Sequence, residues 1–302
     1  MGAELRRLRV RIRSVKSTAK ITRAQEMIAA SKISKAQARQ AASEPYARHI
    51  TRAVTALISH HVSERHPLLD RKTDASRVAI LLVTSDRGFC GGYNANILRH
   101  GQQLARALRD QGREPVFYVT GRRGVDNYLF NDRPMAGQWS GQSGEPGYGQ
   151  AAEIGEALMR AFLAETAEGG VGEVHVVYTR FQSMLSQELT VRRILPLEIE
   201  DVEVPPEGEP VSTFDFEPSS GEVLDDLMGQ YIRGRIWNML LEAAASEHAA
   251  RRRAMMSATD NANDLVTKLT RQANEARQAE VTNELNEIVG GANALADSVK
   301  TD

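Results

Sequence analysis

The sequence predicts an α/β fold with a long α-helical coiled coil: an antiparallel pair of long terminal helices flanking a small Rossmann-like α/β domain. Three observations lead there. All ten prolines lie between Pro45 and Pro218, so residues 1–44 and 219–302 contain none. Both proline-free stretches are rich in Ala, Arg, Glu, Gln and Leu, which are good helix formers. Between them the pattern changes to short apolar runs divided by turn residues and amphipathic stretches, the alternation of strands with helices.

Taken in chain order, residues 1–58 form the first helix. Leu5, Leu8, Ile12, Val15, Ala19 and Thr22 follow alternating steps of three and four, and Ala29, Ile33 and Ala36 resume the alternation. That is the seam of a helix packed lengthwise on another. The central α/β domain spans 76–200. Val78, Ala79, Ile80, Leu81, Leu82 and Val83 read as a buried strand, TSDRGFCGGYN as a loop, and Ile97, Leu98, Leu104, Ala105 and Leu108 as a helix face. PVFYVTG (115–121), EVHVVYTRF (173–181) and ELTVRRILPLEI (188–199) are further strands, with an amphipathic helix over 150–165. Residues 201–219 are turn-rich and serve as a connector. The second long helix covers 220–302, with a seam in Val281, Leu285, Ile288, Ala292, Leu295 and Val299, and Leu224, Leu227, Tyr231, Leu265 and Leu269 upstream. Small residues at Ala243, Ala250, Ala254 and Ala258 are expected at the seam, where they let two helices approach closely.

One helix enters the central domain and the other leaves it, so the pair runs antiparallel. At about 1.5 Å per residue the first is about 80 Å long and the second about 120 Å. The last 25 or so residues of the second therefore have no partner within the chain unless it bends back. Ile288, Val289, Ala292, Ala294, Leu295, Ala296 and Val299 make that end too apolar to stand free in water, so either it homo-oligomerises or another protein surrounds it. Gly290 and Gly291 cost roughly 1 kcal/mol each of helix propensity, tolerable where a tight sleeve surrounds the helix.

The 302 residues carry a net charge of −1 and one cysteine, Cys90, which excludes a disulfide framework. No apolar run approaches the roughly 20 residues that cross a bilayer, and the basic start MGAELRRLRVRIRS lacks the apolar core of a signal peptide. A soluble, unprocessed chain is expected. The near-neutral total conceals +8 on residues 1–44, −5 on 45–218 and −4 on 219–302. The basic stripe Arg6, Arg7, Arg9, Arg11, Arg13, Lys16, Lys20 and Arg23 suits nucleic acid or acidic protein partners. It has no aromatic residue to stack on bases. The loop Asp86, Arg87, Gly88, Phe89, Cys90, Gly91, Gly92 sits where a phosphate could be cradled but matches neither GxxxxGK[ST] nor GxGxxG, so it reads as a structural turn bearing a contact surface. Cys90 has no sequence-defined catalytic partner and reads as a packed side chain. His60, His61 and His66 read as a solvated turn rather than a metal site. An enzyme with helical oligomerisation arms would need a convergent site, and the sequence offers none.

Three segments, RIRSVKSTAKITRAQEMIAASKISKAQ (11–37), LVTSDRGFCGGYNANI (82–97) and SEHAARRRAMMSATDNANDLVTKLTRQANEARQAEVTNELNEIVGGANAL (246–295), together resemble the gamma subunit of the F-type ATP synthase. QSMLSQELTVRRILPL (182–197) resembles that family's mid-chain pattern as well. The resemblance implies a central stalk without bond chemistry of its own: a coiled coil in the axial hole of the alpha/beta hexamer, and an α/β domain that sits with epsilon on the c-ring. It implies that Arg277, Gln278 and Thr282 meet the beta catch loop, with Lys20, Arg23 and Met27 on the opposing strand of the coil. It places Phe214, Asp215, Phe216 and Glu217 in a foot near the c-ring and epsilon. Gln25 stands where the family often has methionine, so coupling at that site is expected to differ. No cofactor, metal or nucleic-acid partner is implied. The absence of the plastid form's cysteine pair and of a transit peptide favours a bacterial source, with the protein peripheral on the cytoplasmic face of the inner membrane.

Overall fold

The computed structural model describes residues 3–60, 66–69, 72, 75–197 and 220–298. Helix α1 (Ala3–His60) is followed by β1 (Arg77–Val83), α2 (Tyr93–Asp110), β2 (Glu114–Thr120), α3 (Arg122–Phe130) and β3 (Gly137–Trp139). Then come α4 (Tyr148–Leu163), β4 (Glu173–Phe181), β5 (Gln187–Leu195) and α5 (Ser220–Ser298). The chain divides into two compact units, Ala29–Arg252 and the pairing of Met1–Ile28 with Arg253–Asp302.

Within Ala29–Arg252 the strands form one sheet in the order β3-β2-β1-β4-β5. β1 is parallel to β2 and β4, β3 is parallel to β2, and only β5 runs antiparallel, against β4. Because β1 is central, both of its faces are buried. Ala79, Leu81 and Val83 face a core built with Ile154, Leu158 and Phe162 of α4, Ile232, Ile236 and Met239 of α5, and Ile50 and Val54 of α1. Val78, Ile80 and Leu82 face Ile97, Ala105 and Leu108 of α2 and Tyr128 of α3. This two-sided burial explains why the strand reads as an unbroken apolar run rather than an alternation. Gly101 lets α2 lie close on β1, since a Cβ there would sit 2.5 Å from Leu82 Cδ2.

Three elements escape the sequence reading: α3, the three-residue strand β3 and a short 3-10 turn over Thr166–Glu168. The second strand of the hairpin also stops at Leu195, short of the expected 199. Helix α1 runs through Pro45, which has no N–H to give the carbonyl four residues back. The small-residue seam along α5 is corrected as well. From Met239 to Ala249, α5 is buried nearly all round, with Ala243, Ala244, Ala245 and Ala249 allowing close approach on several sides at once.

In the unit made by the two chain termini, α1 and α5 are antiparallel: Thr22 Oγ1 lies 2.7 Å from Thr259 Oγ1, and Arg7 and Leu8 line a groove with Gln272 and Ala276. The seam of α5 here is Met255, Thr259, Ala262, Leu269 and Ala273, with Ala254 and Ala258 only half-buried beside it. On α1, the gap in the sequence alternation between Thr22 and Ala29 is filled by Glu26, which is buried.

His66 departs from the solvated turn expected of it. It is buried, its Nδ1 accepts from Leu68 N at 3.1 Å, and its Nε2 donates to Asp225 Oδ1 at 2.8 Å. His61 and the foot residues Phe214, Asp215, Phe216 and Glu217 lie outside the described residues, as do the side chains of His60, Leu224, Ala292, Leu295 and Val299.

Candidate coupling surfaces

The unit formed by the chain ends presents its cationic groups outward. Arg6, Arg7, Arg11, Arg13, Lys16, Lys20 and Arg23 are all exposed, because the 3-4 alternation commits the seam to Leu5, Ala19 and Thr22 and turns these residues away from it. Arg23 Nη1 reaches Glu26 Oε2 at 2.8 Å, so the buried seam carboxylate is paired with an arginine one turn before it. Thr22 and Thr259 add a hydrogen-bonded pair to the same seam. Polar positions in a coiled-coil seam lower stability while fixing register.

Met27 is 59% exposed, and Lys20 is exposed beside Arg23 on α1. Arg277, Gln278 and Thr282 are exposed on α5, where Thr282 Oγ1 donates to Gln278 O at 3.0 Å. The structure does not bring the two groups together. Thr22 faces Thr259, so Arg277 lies about 18 residues further along α5, or roughly 27 Å. They form two separate patches on the coil.

Past Ala279, α5 changes character. Continuing the buried seam by its own alternation leads to Glu280, Asn283 and Glu287. The apolar residues Val281, Leu285 and Ile288 lie instead somewhat over 100° round the helix from that line, at about 100° per residue. They are 47%, 56% and 68% exposed. As far as Val289, the apolar end is thus not the coiled coil continued. It is a different stripe, turned away from the side that α1 occupies earlier in this unit.

At the C-terminal ends of the parallel strands, the loop 85–92 is held from both sides. Asp86 Oδ1 accepts from Arg122 N at 2.9 Å and Gly141 N at 2.8 Å, and Oδ2 accepts from Ser143 N at 2.7 Å. The amide at the start of α3, an anion position by its dipole, is therefore filled by the chain's own carboxylate. Burial raises the pKa of Asp86, but the three N–H bonds outweigh it and hold the carboxyl below its ordinary value. Cys90 is buried, with Sγ 3.4 Å from Asn94 Nδ2, and Phe89 stands 81% exposed at φ 60°. The structural turn that the sequence suggests is present, with Phe89 exposed on it.

On α5, Arg251 Nη2 meets Glu247 Oε1 at 2.7 Å and donates to Arg87 O at 3.1 Å, while Nε donates to Gly88 O at 3.3 Å. Glu247, His248 and Arg251 are all buried. Sequence reasoning missed this cluster. The Glu247/Arg251 spacing of four was visible, but it resembles an ordinary surface pair.

Among the described residues, no group of three His, Cys, Asp or Glu could hold a metal ion, and no helix is long and apolar enough to cross a membrane.

Comparison with known proteins agrees with this architecture. The ATP synthase family profile matches residues 4–295. The chain is 52% identical over 299 residues to the ATP synthase gamma chain of Thermobifida fusca, covering 98% of each chain. It is 54% identical over 295 residues to that of Acidothermus cellulolyticus, again covering 98% of each. Its fold is shared with a chain of the Euglena gracilis mitochondrial ATP synthase OSCP/F1/c-ring structure, with a TM-score of 0.66 at 18% identity, covering 98% of this chain and 95% of that one. A chain of the Tetrahymena thermophila mitochondrial ATP synthase central stalk and c-ring gives 0.57 at 21% identity, covering 79% of this chain and 99% of that one. Matches of this identity, running almost end to end in both partners, establish that the chain belongs to the ATP synthase gamma chain family.

Proposed function

We infer that this chain is the central rotor shaft of an F-type proton-translocating ATP synthase. The observation that carries the reading is the near full-length identity with bacterial gamma chains, which includes both helices and the sheet domain. The chain is not an enzyme on its own. Catalysis belongs to the beta subunits, and this subunit couples rotation of the c-ring to the conformational cycle of their sites. Its partners are the alpha and beta subunits, epsilon and the c-ring.

The physics of the coil supports this role. The exposed stripe Val281, Leu285 and Ile288 needs an apolar surround that α1 does not supply, and a hexamer with an axial hole is such a surround. The two separate patches, Lys20, Arg23 and Met27 on α1 and Arg277, Gln278 and Thr282 on α5, are the contacts with the hexamer, the second with the beta catch loop. Cationic contacts of this kind, screened over about 8 Å in physiological salt, bias and steer more than they hold. Phe214, Asp215, Phe216 and Glu217 form the foot toward the c-ring and epsilon. The complex works at the cytoplasmic face of the bacterial inner membrane, where this subunit is peripheral.

Co-purification tests the reading. A tagged chain expressed in its own cells brings down alpha, beta and epsilon subunits in fixed ratio. Recovery of the chain without them, or with nucleic acid that salt removes, rejects it.

A further inference from the structure

His248 lies on the stretch of α5 that is buried on all sides, between the alanines at 243–245 and 249 and the charged Arg251. Its Nε2 is 2.9 Å from Gly144 O, and its Nδ1 is 3.3 Å from Arg251 Nη1. A carbonyl only accepts, so Nε2 carries the proton; Nδ1 is then a bare lone pair that accepts from the guanidinium. Burial, with Arg251 and Lys32 nearby, keeps the imidazole pKa below its ordinary value despite the Gly144 bond and Glu247, which favours this neutral form. A Cβ at residue 144 would lie 3.2 Å from His248 Cε1, so the glycine permits the ring to reach the carbonyl.

The loop that His248 grips is tied to the rest of its unit on either side of Gly144. Ser143 N donates to Asp86, and Glu145 lies 3.8 Å from Arg39 Nη2 and 4.0 Å from Lys32 Nζ on α1. Apolar contact between alanine surfaces is non-directional and resists rotation of a helix about its own axis weakly. Hydrogen bonds of fixed angle resist it strongly.

We propose that His248, held as the Nε2–H tautomer between Arg251 and Gly144 O, is a positioning residue that helps key helix α5 to the sheet domain, so that torque passes between them without slip. The proposal rests on the rotor-shaft reading. In a mechanical coupling the alanine-lined part of α5 supplies closeness, and the Gly144–His248–Arg251 chain of hydrogen bonds supplies angular definition. The cluster sits at the ends of the strands and grips two loops of the sheet domain, at Arg87/Gly88 and at Gly144, so a twist of α5 strains both.

The test uses the assembled complex in inverted membrane vesicles with His248→Ala, His248→Gln and His248→Asn. Gln places an amide donor near the position of Nε2, whereas Asn places its polar group near Nδ1 and leaves Gly144 O unserved. ATP hydrolysis in His248→Ala is expected to stay within about twofold of the unaltered complex, while protons pumped per ATP fall several-fold. Gln restores most of the ratio and Asn does not. Amide exchange in the full-length chain gives a second reading: Gly144, Glu145 and Gly147 exchange about tenfold faster in the Ala and Asn variants only, even if one of these assembles poorly. An unchanged pumping ratio in His248→Ala overturns the key, as does equal loss in all three variants, which would mark the ring as space-filling. If the unaltered chain fails to restore pumping to membranes lacking it, the rotor-shaft reading itself falls and takes the key with it.

Discussion

Asp86 illustrates how one side chain fixes a surface. Its two oxygens take three backbone N–H groups from residues 122, 141 and 143, so loops after β1, β2 and β3 are ordered around one charge. Asp86→Ala leaves those amides without their side-chain acceptor and is expected to cost about 1–3 kcal/mol in urea unfolding of the full chain. The acid side follows from the sign of the shift. A carboxyl whose folded pKa is depressed adds stability that is fully present above its unfolded value of about 3.9 and is lost as pH falls through the lower folded value. Below about pH 4 the unaltered chain should therefore lose stability with a steeper pH slope than Asp86→Asn, and equal slopes would show that the three N–H bonds do not favour the charged form. None of this was legible in the motif, because the three donors lie 36 to 57 residues away in the chain. The sequence shows a loop of the right kind; only the fold shows what its aspartate holds.

At the scale of elements, periodicity reveals what repeats and conceals what happens once. The α1 seam is readable because its 3-4 alternation continues for over thirty residues, and Glu26 breaks the apolar pattern because a carboxylate is not expected at a buried step. β3 is three residues long and α3 nine, too short for either period to rise above chance. The sequence pattern sets the α5 seam one residue off, because Ala254 and Ala258 follow the same spacing as the buried Met255 and Thr259 beside them. The alanine-rich stretch before them is surrounded on every side, which no single stripe can express. The stripe Val281, Leu285, Ile288 was legible, but its rotation away from the seam was not, since that depends on where the seam lies. Leu285→Asp with Ile288→Asp should leave the melting temperature of the isolated chain within about 1–2 °C, since both side chains are already in water. The same pair should sharply reduce recovery of the assembled hexamer on that chain. A large loss of stability without partners would mean that the stripe packs within the chain instead.

For the whole molecule, the sequence's charge distribution makes a kinetic claim. Residues 1–44 carry +8 while the chain totals −1, and Arg6, Arg7, Arg11, Arg13, Lys16, Lys20 and Arg23 on α1 are exposed. Exposed charge separated from its opposite contributes little to final affinity but accelerates encounter, by an amount that salt removes. Replacing Arg6, Arg7, Arg11 and Arg13 by Gln keeps helix propensity nearly constant and removes four charges. This variant should associate with alpha and beta subunits several-fold more slowly than the unaltered chain at low ionic strength, followed by stopped-flow fluorescence or the recovery of ATPase activity. The difference should narrow as salt rises to a few tenths molar, where the Debye length falls to about 5–6 Å. Once assembled, the two complexes should hydrolyse ATP at similar rates, because exposed pairs of this kind are worth only about 0–1 kcal/mol each. A deficit that persists unchanged at high salt would show that these arginines act through fixed contacts, and the basic strand would then be part of the coupling machinery rather than a guide for its assembly.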